Sequence, residues 1–372
     1  MIKSNIIFTG FYGQMNTGDD AFVEVASWGA KYLWNKSNNR FLAKKDMLPN
    51  TIVQAKGYPF SISKTYGLQS ELLLNNTNAF VFAGGSTIHS RLGEDSIRMK
   101  AMRRKLAGKL PQLGAIGVSI GPFKTSEDEV AVEAYLKNMD FLAVRDQTSF
   151  DYVNSLNLPY QPVNAFDLAA LLPDIYNYNK LERSVGSKKV IGISVCPYES
   201  IQKGLDPNLD KKRNDMYLEL FRELDTLDDI HFRFYVINGN ENIGDRKLTM
   251  ELVSKLSPRS YDLVEYSRDT QSVWKSIANC DFVISTRLHA AIFACFAETP
   301  FMLNEYHRKC SDFLDNIAYD DDYRLYNSEY LVKDKAIQIL EIINSKTKYK
   351  VPTSIDLMKE RAKLNFTKID LH

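Results

Sequence analysis

The stretch "CDFVISTRLHAAIFACFAETPFM", residues 280–302, holds a short apolar run, a polar turn, a helix-length apolar run and the start of a second apolar run. That order is a strand, turn, helix, strand unit, and its strands are apolar throughout, as parallel strands covered on both faces are. Within the turn stand Arg287 and His289. Ser285 or Thr286 is suited to cap the helix, with Arg287, Leu288 and His289 in its first turn. The free N–H groups and the positive dipole end of a helix favour an anion there. Cations at the same place oppose the dipole unless a bound carboxylate or phosphate completes the site. An arginine paired with a neighbouring aspartate and a histidine satisfied in the core would account for the same letters, and the local sequence leaves both readings open.

The same rhythm continues in both directions. Upstream, strands are expected at "NIIFTG", "TIVQA", "NAFVFAGG", "LGAIGVSIG" and "FLAVRD", with helical segments such as residues 20–34 and 96–110 between them. A second series follows: strands "KVIGISVC", "HFRFYVI", "YDLVEY", "CDFVIS" and "PFMLN", with helices near 214–224, 246–256 and 270–279 and one from Leu288. Between the series, residues 156–189 hold three prolines and end in a polar tract, which places a domain boundary near 178–187. The expected organisation is an N-terminal α/β domain over 1–180, a second α/β domain over 187–350, and a C-terminal helix over 351–372 packed across a domain surface. In that tail Thr353 and Asp356 have capping-box spacing. The fold class is α/β: two Rossmann-like domains facing a cleft at the C-terminal ends of their strands.

A chain of 372 residues, 44% hydrophobic and 25% charged, fits two globular domains. Its net charge of +1 gives no global attraction to nucleic acid, so an anion must be held by a local cluster. The four cysteines form no C-x-x-C pair and read as free thiols of a reducing compartment. No apolar stretch approaches the ~18 residues of a spanning helix, so a cytoplasmic location is expected, with peripheral contact at the inner face of the membrane at most. The helix "RMKAMRRKLAGK" reads as a solvated basic face, with phosphate or lipid headgroups as the alternative. "DDD" at 320–322 has no apolar strand leading into it and reads as a solvated loop.

Four further segments bear on the cleft. "ETPFMLNEYHRKCSDFL" puts Lys309 after the next strand, where it can join Arg287 on one anion or sit in a solvated basic turn. "GFYGQMNTGDDA" follows the first strand with Gly10, Gly13 and Gly18, a spacing that is not G-x-G-x-x-G and so does not match a dinucleotide loop. Its Asn16, Asp19 and Asp20 open a helix; the acids are either first-turn partners of the dipole or cleft carboxylates for acid–base work. "AGGSTIHSR" offers Gly84 and Gly85 for close backbone approach, then Ser86 and His89, and "AVRDQTS" ends a strand at Arg145, which pairs with Asp146 or Asp167 or faces the cleft.

Taken in order, "GFYGQMNTGDDA", "VFAGGSTI", "AVRDQTS", "DLAALL" and above all "ISTRLHAAIFACFAETPFMLNEYHRK" resemble the polysaccharide pyruvyl transferase family over nearly the whole chain. The resemblance implies a two-domain, glycosyltransferase-B-like architecture. It further implies transfer of the enolpyruvyl unit of phosphoenolpyruvate to a sugar diol, forming a cyclic pyruvate ketal and releasing phosphate. On that reading Arg287, Leu288 and His289 match the donor-binding motif, with Lys309 and Arg145 completing the donor site. Asn16, Asp19, Asp20, Gly84, Gly85, Ser86 and His89 then fall on the acceptor side. His289 is expected as general acid or as partner of the departing phosphate, and Asp19 as the base on a sugar hydroxyl. No metal or cofactor is expected beyond the donor itself. The partners are phosphoenolpyruvate and a sugar acceptor, lipid-linked or polymeric. "AGGS" stands where the family often has a third glycine, and His89 where it has a small or apolar residue, which bears on the acceptor pocket. The alternatives are a nucleotide-sugar glycosyltransferase of the same fold, with Glu298 or Glu305 as its ribose-binding carboxylate, and a non-catalytic glycan-binding protein.

Overall fold

The computed structural model of the chain describes residues 3–178, 188–202, 204–227, 229–326, 332–345 and 348–371. Six short runs of apolar residues assemble the first sheet: β1 (Ser4–Thr9), β2 (Asn39–Phe41), β3 (Thr77–Ile88), β4 (Gln112–Ile120), β5 (Phe141–Val144) and β6 (Val163–Asn164), in spatial order β2-β1-β3-β4-β5-β6. Six more form the second: β7 (Lys189–Ser194), β8 (Ile230–Tyr235), β9 (Tyr261–Val264), β10 (Phe282–Ser285), β11 (Phe301–Asn304) and β12 (Arg324–Leu325), in order β12-β11-β10-β7-β8-β9. Every pairing is parallel. The helices are α1 (Thr17–Tyr32), α2 (Tyr66–Leu74), α3 (Ile97–Leu106), α4 (Ser126–Leu136), α5 (Gln147–Ser155), α6 (Leu172–Tyr176), α7 (Pro207–Leu224), α8 (Arg246–Leu256), α9 (Thr270–Ala278), α10 (Leu288–Phe296), α11 (Arg308–Asn316), α12 (Val332–Asn344) and α13 (Ile355–Thr367). Of the expected domain boundary at 178–187, residues 179–187 lie outside those described.

Each sheet reverses its strand order once. In the first, β1 is flanked by β2 on one side and β3 on the other; in the second, β7 is flanked by β8 and β10. The loops leaving the strands on either side of such a point diverge and open a crevice at the carboxyl ends. Helix α1 lies between the two sheets and is buried along most of its length, with small residues such as Ala26, Gly29 and Ala30 allowing close approach. Aromatic pairs tie the halves together: Phe166 lies 5.8 Å from Phe296, and Tyr176 lies 5.6 Å from Trp274. Helix α13 packs on the first half, where the Trp34 indole N–H donates to the carbonyl of Phe366 at 2.9 Å and Asn365 accepts from Gly117 N at 2.7 Å.

Four expectations are corrected. "TIVQA" is not a strand: Thr51 Oγ1 donates to Val53 O and accepts from Ala55 N, a local turn that competes with pairing, and β2 takes the sheet edge instead. Helix α7 starts earlier than expected, at Pro207, because Asp206 caps it through Asn208 N and proline is suited to the first helical position. The capping box at the tail does not form, since Ser354 rather than Thr353 is the N-cap and Asp356 therefore falls one position short. Neither Ser285 nor Thr286 caps α10. Arg287 itself occupies the N-cap, and Ser285 Oγ donates to Arg287 O at 2.7 Å.

Candidate active site

A cavity of about 170 Å³ lies where the two crevices meet, lined by Phe11, Asn16, Asp19, Phe22, Gly85, Ser86, Arg145, Ile237, Arg287, Leu288, His289, Tyr306 and Lys309. The loops after β1, β5, β8, β10 and β11 and the end of β3 all contribute. Of the residues expected on the donor side, Arg287, Leu288, His289, Lys309 and Arg145 are all brought together here. Of those expected on the acceptor side, Asn16, Asp19, Gly85 and Ser86 are present.

Asp20, Gly84 and His89 do not line the cavity. Asp20 is fully buried and turns away, accepting a 2.7 Å hydrogen bond from the Tyr266 hydroxyl of the second half. Gly84 sits at φ +78° with the Phe22 ring where a Cβ would stand, so it makes room for packing. His89 follows the last pairing of β3 with β4 at Ile88 and is not part of the lining.

The N-terminal segment is held from both sides. Asn16 caps α1 by accepting from Gly18 N at 3.0 Å, and the backbone around it pairs with the loop after β8. Thr17 N donates to Ile237 O at 3.0 Å, and Gly239 N donates to Met15 O at 2.8 Å. Asp19 therefore projects from the first turn of α1 towards Gly85, where a Cβ would stand 4.0 Å from Asp19 Oδ1. Burial pushes the Asp19 carboxyl up to about 7, against the pull of Arg145, Lys309 and Arg287. Gly18 lies directly under His289, whose ring overlaps the place a Cβ would take.

His289 stands edge-on to Phe22, ring centroids 5.0 Å apart, and its buried Nε2 has no hydrogen-bond partner. Burial lowers its pKa to about 4, so the imidazole is neutral at pH 7 in the free protein. Arg287 is anchored by Asp245: Nε donates to both carboxylate oxygens at 2.9 and 3.1 Å, and Nη2 donates to Oδ1. Asp245 is fully buried and also accepts from Asn238 N at 2.8 Å. Burial works against the guanidinium's charge, but Asp245 and its other neighbours hold Arg287 above its ordinary value. Arg145 donates to Ser119 Oγ at 2.8 Å, to Asp167 at 2.7 Å and to Ser86 Oγ at 3.2 Å. Asp167, not Asp146, is thus its partner; Asp146 caps α5 through Ser149 N.

Lys309 is the cation without a carboxylate. No acid lies within ion-pair distance of it among the described residues, its ammonium sits 5.3 Å from the Tyr306 ring centroid, and burial lowers its pKa. His307 caps α11 by accepting from Lys309 N at 3.1 Å. The first turn of α10 has no side-chain cap, which leaves its N–H groups beside Arg287 for an anion. The site thus presents three cations, two of them already aimed by carboxylates, to an aspartate that titrates near neutrality and a neutral histidine.

Asp245 and Phe11 escaped sequence reading. Asp245 lies in the loop after β8, and only the order β10-β7-β8 brings that loop beside β10. Phe11, 49% exposed at the cavity edge, lies within "GFYGQMNTGDDA", but nothing in an aromatic letter between two glycines marks it as a cavity residue. The two carboxylates proposed for ribose are placed elsewhere: Glu305 is bound by both Nε and Nη2 of Arg324 at 2.6 Å, and Glu298 lies past the far end of α10. Among the described residues no cluster of three or more His, Cys, Asp or Glu could hold a metal ion, and no helix is long and apolar enough to cross a membrane. The four cysteines are all buried. "DDD" is a turn in which Asp320 caps Asp322 N and meets Lys350 at 2.7 Å.

The family model for polysaccharide pyruvyl transferase matches residues 16–308. No curated protein matches the chain. Among solved structures, a protein described as a UDP-N-acetylglucosamine 2-epimerase from Listeria monocytogenes aligns over 100% of this chain and 99% of its own at 10% identity, TM-score 0.59. The UDP-GlcNAc 2-epimerase of Methanocaldococcus jannaschii covers 96% and 98% at 12% identity, TM-score 0.56. That of Neisseria meningitidis, bound to UDP-GlcNAc, covers 99% and 100% at 10% identity, TM-score 0.57. At such identities the likeness shows the fold: two Rossmann-like halves in the glycosyltransferase-B-like arrangement.

Proposed function

The chain belongs to the polysaccharide pyruvyl transferase family, and from that premise we propose that its cavity takes phosphoenolpyruvate as donor and forms a pyruvate ketal on a diol of a sugar acceptor. The observation that carries the reading is Lys309, a half-buried cation with no carboxylate partner among the described residues, facing the same cavity as Arg287 and Arg145. A charge partly withdrawn from water without a counter-charge is costly, and an anionic ligand offsets that cost. Phosphoenolpyruvate brings a phosphate and a carboxylate on one small carbon frame. Arg287 with the start of α10 takes one of them, and Lys309 with Arg145 takes the other.

The chemistry then follows from Asp19 and His289. Protonated Asp19 delivers its proton to the methylene carbon of the enol, leaving an oxocarbenium-like centre at the neighbouring carbon. A sugar hydroxyl adds there and returns its proton to Asp19. The bond from that carbon to the phosphate oxygen breaks, the second hydroxyl adds, and His289 relays the second proton to the departing phosphate. One hydroxyl proton has ended on the new methyl group and the other on phosphate, so the balance closes without a redox partner. The cations and helix start stabilise the charge that gathers on phosphate as it leaves. The acceptor lies against Asn16, Ser86 and the ring of Phe11, an apolar face of the kind sugars stack on.

The direct test is release of phosphate from phosphoenolpyruvate in the presence of candidate sugar diols, with Arg287→Ala and His289→Ala alongside. Turnover that both substitutions abolish is expected. Phosphoenolpyruvate at about 100 times its dissociation constant should also add roughly 2.7 kcal/mol to stability. If a nucleotide sugar stabilises the protein, phosphoenolpyruvate does not, and no acceptor supports release, the donor assignment is wrong.

A further inference from the structure

The outer face of the first sheet carries α2, α3 and α4, and its charge is unevenly spread. Between the end of β2 and the start of β4, residues 42–111 hold eleven lysines and arginines against four acids, a net +7. The remainder of this chain of net charge +1 is therefore at −6. The same segment exposes large apolar side chains where a soluble surface has no use for them: Phe60 is 60% exposed and Ile62 58%, ahead of α2, and Leu68 61% and Leu72 53%, one turn apart on its outer side. Cations ring these groups. Lys64 lies between Ile62 and Leu68, Lys44 sits over the Tyr66 ring at 5.8 Å, and Lys100 reaches across from α3 to Glu71 of α2. Tyr58 stacks on Tyr66 with centroids 4.8 Å apart, giving an amphipathic aromatic pair beside them. Between α3 and α4 an apolar cavity of about 220 Å³, lined by Phe82, Leu92, Met99, Met102 and Val132 among others, opens on the same side. The first turn of α4, with Glu127, Asp128 and Glu129, ends the basic area.

Protruding apolar residues set in a basic field fit an interface that is apolar inside and anionic at its surface. An acidic protein would satisfy the charge but would leave four separated apolar side chains without a shared hydrophobic partner. We infer that the face formed by residues 58–72 and α3 docks the protein peripherally on an anionic lipid bilayer, with Phe60, Ile62, Leu68 and Leu72 entering the headgroup region and Lys44 and Lys64 meeting lipid phosphates. The cavity that holds Asp19 and Arg145 lies at the C-terminal ends of the same sheet's strands, so docking would leave it open along the membrane plane. The face binds lipid whether or not the cavity transfers pyruvate, because none of its residues lines that cavity.

The experiment sediments the full chain with vesicles of phosphatidylcholine alone, or with roughly a third phosphatidylglycerol. Partition into the anionic vesicles only is expected, falling steeply between about 0.05 M and about 0.5 M salt. Lys44→Gln with Lys64→Gln should weaken it about 30-fold, taking each charge near the surface at its usual worth. Leu68→Ser with Leu72→Ser should weaken it about tenfold or more. Both pairs are exposed, so their melting midpoints should match wild type, which separates lost docking from lost folding. Failure to sediment with anionic vesicles, sedimentation unaltered in both double variants, or recovery of an acidic protein on this face while vesicles are ignored would each overturn the inference.

Discussion

Replacing Asp245 by asparagine tests how the site is built. The carboxylate is fully buried and holds Arg287 through both its oxygens, while Arg287 keeps 18% of its side chain in solvent. Removing one member of a buried pair costs about 3–5 kcal/mol, and the solvent reached by Arg287 places this case at the low end, about 3 kcal/mol. Asparagine keeps the shape and an oxygen to accept from Asn238 N, so the loss reports charge rather than a cavity. At about 2–4 °C per kcal/mol for units of this size, the unfolding midpoint should drop by about 6–12 °C. Arg287 is then left without its counter-charge, so inorganic phosphate should raise the midpoint of Asp245→Asn by more than it raises that of wild type. Thermal unfolding by circular dichroism, with and without phosphate, reads both effects. A midpoint within about 1 °C of wild type, or equal shifts with phosphate in the two proteins, would refute the idea that Asp245 is what aims and balances Arg287.

Three other outcomes follow from the same geometry. Gly18→Ala puts a methyl into the His289 ring; it should cost about 1–3 kcal/mol in urea unfolding and depress turnover far more than donor binding. Asp19, Asp20 and Glu24 are each pushed up to about 7 by burial, so the unfolded chain binds fewer protons than the native one between the ordinary carboxylate range and about pH 7. These groups therefore favour the folded state at low pH and lose that advantage as pH rises, and Asp19→Asn should gain stability relative to wild type at pH 8 but not at pH 5, measured by melting at both. If Asp19 must start protonated, kcat/KM falls as pH rises through about 7, and the corresponding limb of kcat moves to higher pH because a bound trianionic donor raises the carboxyl further; a pH profile whose alkaline limb survives Asp19→Asn contradicts the assignment.

The sequence was most informative where periodicity and composition coincide. Apolar runs ending at Ser285, Asn304 and Val144 located strands because buried parallel strands need nothing but apolar residues, and β-rich runs separated by helices gave the architecture. "TIVQA" misled for a physical reason: its β-branched residues suit a strand, but Thr51 bonds its own backbone. Arg287 was visible as an anomaly, yet its partner was not, since Asp245 is 42 residues upstream and only sheet order makes them neighbours. Both readings of Arg287 turn out to hold together, for it is paired with an aspartate and still lines the cavity. Asp20 read as the twin of Asp19, but consecutive helical residues face about 100° apart, and one looks into the cavity while the other meets Tyr266.

The main-chain pairing of residues 15–17 with 237–239 has a mechanical consequence. Asn16 starts the helix that carries Asp19, and the segment it pairs with leads directly to Asp245, the anchor of Arg287. A slide of one half along the other at this seam would break the hydrogen bonds from Thr17 N and Gly239 N together. Asp19 and Arg287, one from each half, are thus held in register by main-chain bonds a few residues away from each. Lys309 stands on helix α11, which is tied to the first half separately, Asp312 accepting from the Thr148 hydroxyl at 2.9 Å, so the cavity is clamped on two sides and the relative placing of its three cations is set by main chain and helix contacts together.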